Sequence, residues 1–509
     1  MHNRPDRKAG AILLAGMPVT IPYFKKDTIH SYLGLPFVEK SGILFTEYNP
    51  GVWDLFKNNK KNGGNNMNLI YGIKDKPKFS QMLLFALQQV LAILAATIAV
   101  PAIVGNGMSA SAALFGAGVG TIVYQLFTKF KSPVFLGSSF AFIGPMSAAF
   151  GGAVSASAGF AGLIMGAVFA GLVYVIIAIV VKSTGINWIN KLMPPVVIGP
   201  AVALIGLSLA GAAVNDMFSY GAKTTFGTSS YFIMDASIWA SLICALVTLF
   251  VVILFSIYGK KMFKLIPFII GILAGYAVAA IFTLCGVPVI DFSVFQNMQI
   301  FAVPSFTFVE ALKGVKDVNL SYLTTVIAAY VPMAFVVFAE HLADHKNLST
   351  IIGSDLLEDP GLRCTLLGDG IGSIAGAIFG GCPNTTYGES VGCVAITRNA
   401  SVVTITTAAI MCIVISFFGP FVAFLDSIPG CVMGGVCVTL YGFIAVSGLK
   451  MIQKVDLGKN SNLFTVASIL IPGIGGMAMG IGNVYITNIA CALILGIIVN
   501  LLVSKAKED

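Results

Sequence analysis

Residues 380–390 read GGCPNTTYGES and interrupt an otherwise apolar part of the chain. Two glycines and a proline here oppose a continuous helix, whereas Asn-Thr-Thr-Tyr suits an extended strand followed by a helix that begins near Gly388. Apolar runs at about 366–380 and 401–425 flank the stretch. Non-helical backbone is tolerated at membrane depth only where protein or a water-filled cavity surrounds it. The stretch therefore predicts an interrupted membrane segment that lines a cavity.

A second interrupted segment lies at about 134–150, where residues 137–142 read GSSFAF. The two segments are the third and the tenth predicted spans, and a separation of seven indicates a duplicated seven-span unit whose second copy is inverted. PPVVIG at 194–199 resembles PGCVMG at 429–434, which is a further trace of duplication. Inverted repeats interrupted at corresponding positions are typical of secondary transporters that bind a solute near the bilayer midplane. The pattern favours a transporter over a channel or a membrane enzyme.

The composition agrees with a membrane protein. Of 509 residues, 57% are hydrophobic and only 10% are charged, and the mean hydropathy is +0.90. Soluble chains average about 25% charged residues, so this chain cannot cover the surfaces of several soluble domains. The net charge of +8 is spread over loops, and we expect no nucleic-acid partner. The nine cysteines show no CxxC or Cys/His spacing, so we expect neither a metal nor another cofactor.

Fourteen spans follow when the two interrupted segments are counted with twelve apolar runs. The runs lie at about 81–103, 110–128, 156–181, 195–214, 236–258, 265–286, 322–343, 366–380, 401–425, 430–449, 463–481 and 484–504. Lysine and arginine concentrate in alternate loops, with exceptions only in two long loops, so both termini are predicted to be cytoplasmic. The predicted fold class is an all-α polytopic membrane protein of fourteen spans, in two inverted seven-span repeats with short half-strands in spans 3 and 10.

Residues 1–66 form an N-terminal extension of a different character, with scattered charges and no apolar span. Residues 62–67 read NGGNNM, and the two glycine codons can hold the string GGAGG a short distance before an ATG codon. Because that is the layout of a bacterial ribosome-binding site, our hypothesis is that Met67 is the natural start. A genuine cytoplasmic tail is the alternative.

Carboxylates inside apolar sequence are the most informative residues. Glu340 ends the apolar run 331–339, where a charge costs at least about 2.5 kcal/mol and so faces a cavity or a partner. Asp344 follows on the same helix face. Glu389 lies in the second interrupted segment, and Phe140 in the first offers a stacking face and a backbone N–H, although simple packing also explains it. Acids and free backbone donors together suit a small, flat, neutral solute with N–H and C=O edges, and a buried carboxylate can carry a proton.

At these residues the chain resembles the nucleobase–ascorbate transporter family, and within it the bacterial carriers of uracil. The resemblance covers about residues 75–505. It is carried by LGSSFAF at 136–142, AEH at 339–341, EDPGL at 358–362, NTTYGE at 384–389 and the family signature from Glu389 to Arg398.

The resemblance implies a core domain of spans 1–4 (81–184) and 8–11 (322–427), and a gate domain of spans 5–7 (185–290) and 12–14 (428–505). It also implies proton symport by alternating access and a homodimer that forms through the gate domain. By position, the substrate-binding residues are Glu340, Glu389, Phe140, Tyr387 and Gly388, and the supporting residues are Ser390, Asn384, Ser139 and His341.

Three positions depart from the family pattern. Ser390 stands where the signature has Asn, Asp344 where one branch has a proton-coupling His, and Gln89 where that branch has another His. We therefore expect Glu340 with Asp344 to carry the coupling proton. Glutamate at 389 favours uracil, since xanthine carriers usually have Gln there; xanthine or another purine stays open.

A metalloenzyme that uses His341, Asp344 and His345 is the alternative from another functional class. The sequence singles out no further metal ligand elsewhere in the chain that would complete such a site.

Overall fold

The computed structural model describes residues 13–14, 17–18, 69–185, 187–226, 229–260, 262–296, 298–481 and 484–504. The chain divides into two units, Met1–Tyr48 and Asn49–Asp509. In the first unit, strands β1 (Leu13–Leu14) and β2 (Met17–Pro18) pair antiparallel. Met67, and the predicted extension 1–66 apart from these two strands, lie outside the described residues. The helices and longer strands belong to the second unit.

Nine helical segments within the described residues are long and apolar enough to cross a membrane. They are α1 (Phe79–Val104), α2 (Ala110–Phe127), α4 (Ala156–Thr184), α6–α7 (Pro195–Ser208 and Ala210–Met217), α8 (Ala236–Tyr258), α10 (Pro267–Leu284), α12 (Leu320–Ile352), α13 (Leu362–Gly380, with a preceding turn from Leu357) and α17 (Gly430–Ile452). These segments confirm a mostly helical, multi-span membrane protein.

Shorter helices complete the architecture. Four are apolar: α3 (Ile143–Gly151, after a 3₁₀ turn Phe140–Phe142), α15 (Val402–Ile415), α18 (Asn460–Ile474) and α19 (Asn488–Val503). The others are α5 (Asn187–Leu192), α9 (Met262–Leu265), α11 (Thr307–Gly314), α14 (Gly388–Thr397) and α16 (Gly419–Asp426), with 3₁₀ turns at Phe292–Phe295 and Val315–Asp317. Strands β3 (Leu136–Ser138) and β6 (Asn384–Thr386) pair with each other, whereas β4 (Lys223–Phe226) with β5 (Ser229–Phe232), and β7 (Met479–Ile481) with β8 (Val484–Ile486), form hairpins.

Local chemistry fixes several helix ends. The side chains of Ser109, Ser155, Asp235 and Asn319 accept hydrogen bonds from backbone N–H groups in the first turns of α2, α4, α8 and α12. Helix α12 ends at Gly353, whose φ of 68° is the left-handed conformation that glycine adopts readily. Between these caps α12 runs from Leu320 to Ile352, so it is longer than the apolar run predicted at 322–343.

The run predicted as one span at 401–425 is two helices, α15 and α16. The backbone between them leaves the helix to form an antiparallel bridge between Phe418 and Phe301, and Ala302 N–H donates to the carbonyl of Phe417 at 2.9 Å. At Gly419 a side chain would overlap the carbonyl of Gln299. The helix is therefore interrupted where it contacts a segment more than 100 residues away in sequence. Hydropathy along the chain cannot reveal such a contact.

Small residues allow the closest helix contacts. Helix α2 packs on α13 where a Cβ on Gly116 or Gly380 would overlap backbone atoms of the opposite helix, and Gly120 faces Gly372 in the same way. Helices α4 and α15 also pack on this pair, through α13 and α2 respectively. A second group of contacts joins α17 to α6 and α8, α8 to α10, and α18 to α19. The paired strands β3 and β6 lie against helices of the first group.

Candidate functional site

The two interrupted segments meet through their strands. Leu136 lies opposite Thr386 and Ser138 opposite Asn384 in an antiparallel ladder, and Ser139 N–H extends the ladder by donating to the carbonyl of Pro383 at 2.9 Å. Each strand leads directly into a helical turn, at Phe140 in one segment and at Gly388 in the other. The antiparallel register places these two helix starts at opposite ends of the ladder. The crossing thus joins two parts of the sequence about 250 residues apart.

The side chain of Tyr387 holds this crossing together. Its ring lies on Gly137, where any Cβ would overlap it, and its hydroxyl donates to the carbonyl of Ser138 at 2.7 Å. Its backbone N–H donates to the carbonyl of Phe135 at 3.3 Å, and the residue is only 4% exposed. The hydroxyl, the N–H and the carbonyl of Tyr387, which accepts from Val391 N–H at 3.1 Å, are therefore all engaged within the protein, so that Tyr387 contributes its shape to a site.

The backbone N–H groups of Phe140 and Gly388 differ from that of Tyr387. Both residues are the first of a helical turn, where N–H groups lack an intrahelical partner. Gly388 is exposed, and Phe140 is half-buried. The Phe140 ring meets the ring of Tyr441 on α17 edge to face, with 6.1 Å between centroids. Phe140 thus lies where the two groups of helices meet, with a ring face and a backbone donor at the same place.

Glu340 and Glu389 are reachable by solvent although they lie among buried residues. Glu340 is exposed, yet the residues on either side of it, Ala339 and His341, are 4% and 0% exposed. Glu389 is half-buried in the first turn of α14, where an acid interacts favourably with the helix dipole. The carboxylate of Glu340 interacts electrostatically with those of Glu389, Asp344 and Asp369. An accessible acid beside buried neighbours indicates an opening into the protein at this point.

Asp344 links α12 to the crossing. Its Oδ2 accepts a hydrogen bond from Thr386 Oγ1 at 2.7 Å, and its Oδ1 lies 3.9 Å from where a Cβ of Gly388 would be. The structure therefore brings Glu340, Asp344, Gly388 and Glu389 into one cluster.

His341 and His345 belong to a fully buried network behind that cluster. Nδ1 of His341 lies 2.7 Å from Asp369 Oδ2, and its Nε2 lies 3.1 Å from Thr365 Oγ1. Nδ1 of His345 donates to the carbonyl of His341 at 2.8 Å, and its Nε2 lies 2.7 Å from the hydroxyl oxygen of Tyr124. The two rings lie 4.0 Å apart, centroid to centroid. His341 thus supports α12 from behind the acids.

This network argues against a metal site at His341, Asp344 and His345. All four ring nitrogens have hydrogen-bond partners within the protein, and Asp344 is bonded to Thr386 on β6. No nitrogen lone pair is left for a cation. The geometry thus gives the metalloenzyme alternative no support.

The supporting residues Asn384 and Ser139 differ in their surroundings. Asn384 Nδ2 donates to the carbonyl of Gly116 on α2 at 3.0 Å, and its amide fills the space left by Gly120 and Gly376. Asn384 therefore anchors β6 to the helices beneath it. The hydroxyl of Ser139 is buried and has no hydrogen-bond partner among the described residues. Ser390 is fully buried, and its hydroxyl accepts hydrogen bonds from Gln89 Nε2 and from Phe135 N–H.

Three residues of the site escaped prediction from sequence. Asp369 is an acid within an apolar run, between Gly368 and Gly370, so the same reasoning that singled out Glu340 could have found it. Tyr441 and Thr386 carry no comparable signal, because their roles depend on contacts with Phe140 and Asp344 across the fold.

Comparison with known sequences finds a family of permeases. The sequence model of a protein family, described as "Permease family" (Xan_ur_permease), matches residues 80–481. The uracil permease of Bacillus subtilis (strain 168) is 38% identical over 442 residues, which covers 86% of this chain and 96% of that protein. The uracil permeases of Bacillus caldolyticus and Escherichia coli (strain K12) are 37% and 33% identical, over 85% and 84% of this chain and 94% and 92% of their own lengths.

Solved structures with a similar fold are more distant in sequence. Murine Slc26a9, an anion transporter in the inward-facing state, has a TM-score of 0.59 at 13% identity and covers 92% of this chain and 73% of its own. The transmembrane domain of the cyanobacterial bicarbonate transporter BicA has a TM-score of 0.53 at 15% identity, with 84% of this chain and 99% of its own covered. At these identities the likeness concerns the fold alone.

Proposed function

This chain belongs to that permease family and is a nucleobase transporter, and from this premise we propose that it imports uracil by proton symport. The observation that carries the proposal is the cluster of Glu340 and Glu389 beside the helix start at Gly388. The uracil permeases that resemble this chain over more than 80% of its length support the choice of substrate.

Uracil fits the chemistry of this cluster. Its ring offers two N–H donors and two carbonyl acceptors on a flat, neutral frame. In our proposal the carboxylates of Glu389 and Glu340 accept from the ring N–H groups, and the free N–H groups at Gly388 and Phe140 donate to the carbonyls. The Phe140 ring packs against the base. Tyr387 shapes the site from behind through its contact with Gly137.

The coupling proton is assigned to Glu340 together with Asp344. These acids lie one helical turn apart on α12, interact with each other electrostatically, and have water access through Glu340. A proton on one of them reduces the repulsion within the cluster, so proton uptake and binding of an N–H donor act on the same groups. No cofactor is needed in this scheme.

Transport by alternating access requires two bodies that move relative to each other. We assign spans 1–4 and 8–11 (81–184 and 322–427) to the core and spans 5–7 and 12–14 (185–290 and 428–505) to the gate. The separate packing groups around α2–α13 and around α17 support this division. Counting α3, α15, α18, α19 and the β6–α14 segment with the nine longer spans gives fourteen, in two inverted repeats. We further propose a homodimer through the gate and cytoplasmic termini in the bacterial inner membrane.

The decisive experiment is uptake of labelled uracil into proteoliposomes with an imposed pH gradient, competed by xanthine, thymine and cytosine. We expect saturable uptake that rises when the outside is acidic and that unlabelled uracil abolishes. Strong xanthine uptake without uracil uptake would instead establish the purine alternative. Uracil uptake that ignores the pH gradient would overturn proton symport but leave the substrate intact.

A further inference from the structure

The hydroxyl of Ser390 is the meeting point of three separate parts of the chain. Gln89 on α1 donates to it through Nε2, and the backbone N–H of Phe135, just before β3, donates to it at 3.2 Å. Gln89 is 2% exposed, and Phe135 and Ser390 are 0% exposed. The hydrogen bonds therefore form away from water, where the loss of one partner leaves the other buried and unpaired.

Gln89 and Ser390 are also two of the three positions at which the sequence departs from the family pattern, and their side chains contact each other. The serine is shorter than the asparagine of the signature, and the extended amide of Gln89 reaches it. We propose that Gln89 and Ser390 are a matched pair that positions Glu389 for substrate. This inference rests on the proposed function, because the role of Glu389 is taken from it.

The geometry explains how the pair acts on Glu389. Phe135 forms hydrogen bonds to chain positions before and after Glu389. Its carbonyl accepts from Tyr387 N–H, and its N–H donates to the hydroxyl of Ser390. Glu389 lies between these two anchors in the first turn of α14, and α14 packs on α1. Gln89 supplies the third hydrogen bond, from the α1 side. A change in the length of either member of the pair rotates or shifts the start of α14, and the Glu389 carboxylate moves with it.

A double-mutant cycle tests the match. Gln and Ser together contain as many side-chain atoms between the two backbones as Asn and Asn. Gln89→Asn alone leaves a gap, Ser390→Asn alone overfills the contact, and the double variant restores the total length. We expect each single change to weaken uracil binding about tenfold and the double variant to bind within about threefold of wild type. The measurement is the Kd of purified protein for labelled uracil.

A matched control variant and a Glu389→Gln background distinguish an effect on the position of Glu389 from a general packing defect. Gln81→Asn makes the same chemical change in the first turn of α1, where Gln81 is exposed and accepts from Tyr71, and we expect no change in the Kd. In a Glu389→Gln background, the single changes at 89 and 390 should weaken binding by less than about threefold, because the group they position is already altered. A packing defect would keep its full effect there and would overturn the proposal.

The remaining outcomes are equally decisive. If wild-type protein does not bind uracil, the proposed function fails, whereas wild-type binding without recovery in the double variant overturns only the matched pair. If Ser390→Asn alone does not yield folded protein, thermal unfolding and yield of the double variant replace its Kd. Recovery of folded protein on adding Gln89→Asn then supports the pair, and no recovery overturns it.

Discussion

Glu340 and Glu389 belong to one acidic cluster but have different surroundings. Glu389 lies in the first turn of α14, where an acid interacts favourably with the helix dipole. Glu340 lies within α12, faces three other acids, and has no side-chain hydrogen-bond donor among the described residues. Glu389, which interacts favourably with the helix dipole, is therefore the better hydrogen-bond acceptor for substrate. Glu340, which is repelled by the other acids, is the better proton carrier. We therefore expect substitution of Glu389 to affect substrate binding and substitution of Glu340 to affect proton coupling.

Glu389→Gln should weaken uracil binding by about 10- to 100-fold, because a hydrogen bond to a charged group contributes about 1.5–3 kcal/mol. The neutral amide loses the charge and can also present its NH₂ to a ring N–H. Equilibrium binding to purified protein measures the effect. Glu310→Gln is the control, since Glu310 pairs with Lys313 on the surface. Equal affinity in wild type and Glu389→Gln would exclude Glu389 from the site.

Glu340→Gln and Asp344→Asn should alter the pH dependence of transport. Each amide is neutral at every pH, so protonation of that residue can no longer drive accumulation. The amide oxygen that Asp344→Asn introduces can still accept from Thr386 Oγ1, which preserves the link between α12 and β6. We expect counterflow of labelled uracil to persist while its accumulation under an imposed pH gradient falls. Transport by Glu340→Gln that matches wild type in both assays would remove that residue from the site.

The pairing of β3 with β6 depends on one glycine. The Tyr387 ring occupies the space that a side chain at Gly137 would need, so the two strands can approach only if residue 137 has no Cβ. Gly137→Ala must displace the ring or the strand, and overpacking of this kind costs about 1–3 kcal/mol. We expect a lower unfolding temperature and loss of uracil uptake. Gly144→Ala in α3 is the control, since its Cβ would lie 4.0 Å from the nearest atom, Ile489 Cδ1. Normal uptake by Gly137→Ala would mean that the crossing tolerates separation of the strands.

At the scale of elements, sequence identified what backbone chemistry determines locally. Gly, Pro and polar residues predicted where the regular helices stop, near residues 137 and 384, and acids at membrane depth predicted Glu340 and Glu389. The inward direction of the Tyr387 side chain could not be predicted, because it depends on Gly137 in the other segment. The break between α15 and α16 was missed for the same reason, since Phe301 pairs with Phe418 across a long separation. Local signals give the elements, and contacts between distant segments decide side-chain direction.

At the scale of the whole molecule, the packing groups follow small residues more than apolar ones. Glycines allow α2 and α13 to approach closely, and Gly199 and Gly448 do the same for α6 and α17. Almost every span is apolar on all sides, so hydropathy predicts that a helix is in the membrane but not which neighbour it has. The assignment of core and gate was therefore available only through the family resemblance. Orientation is different, because the distribution of lysine and arginine predicts it directly.

The predicted orientation can be tested with a native cysteine. Of the nine cysteines, only Cys285 is exposed; it follows α10 in the connection that our topology places on the side of the membrane opposite the cytoplasm. Cys364, near the start of α13, lies on the cytoplasmic side in the same topology and is partly buried. A membrane-impermeant maleimide should therefore label wild-type protein in spheroplasts, and Cys285→Ser should abolish that labelling. Labelling of Cys285 only in inside-out vesicles would invert every span, and with it the cytoplasmic placement of both termini. Since inversion leaves the helix packing and the acidic cluster unchanged, this result would revise the direction of the carrier without altering the site.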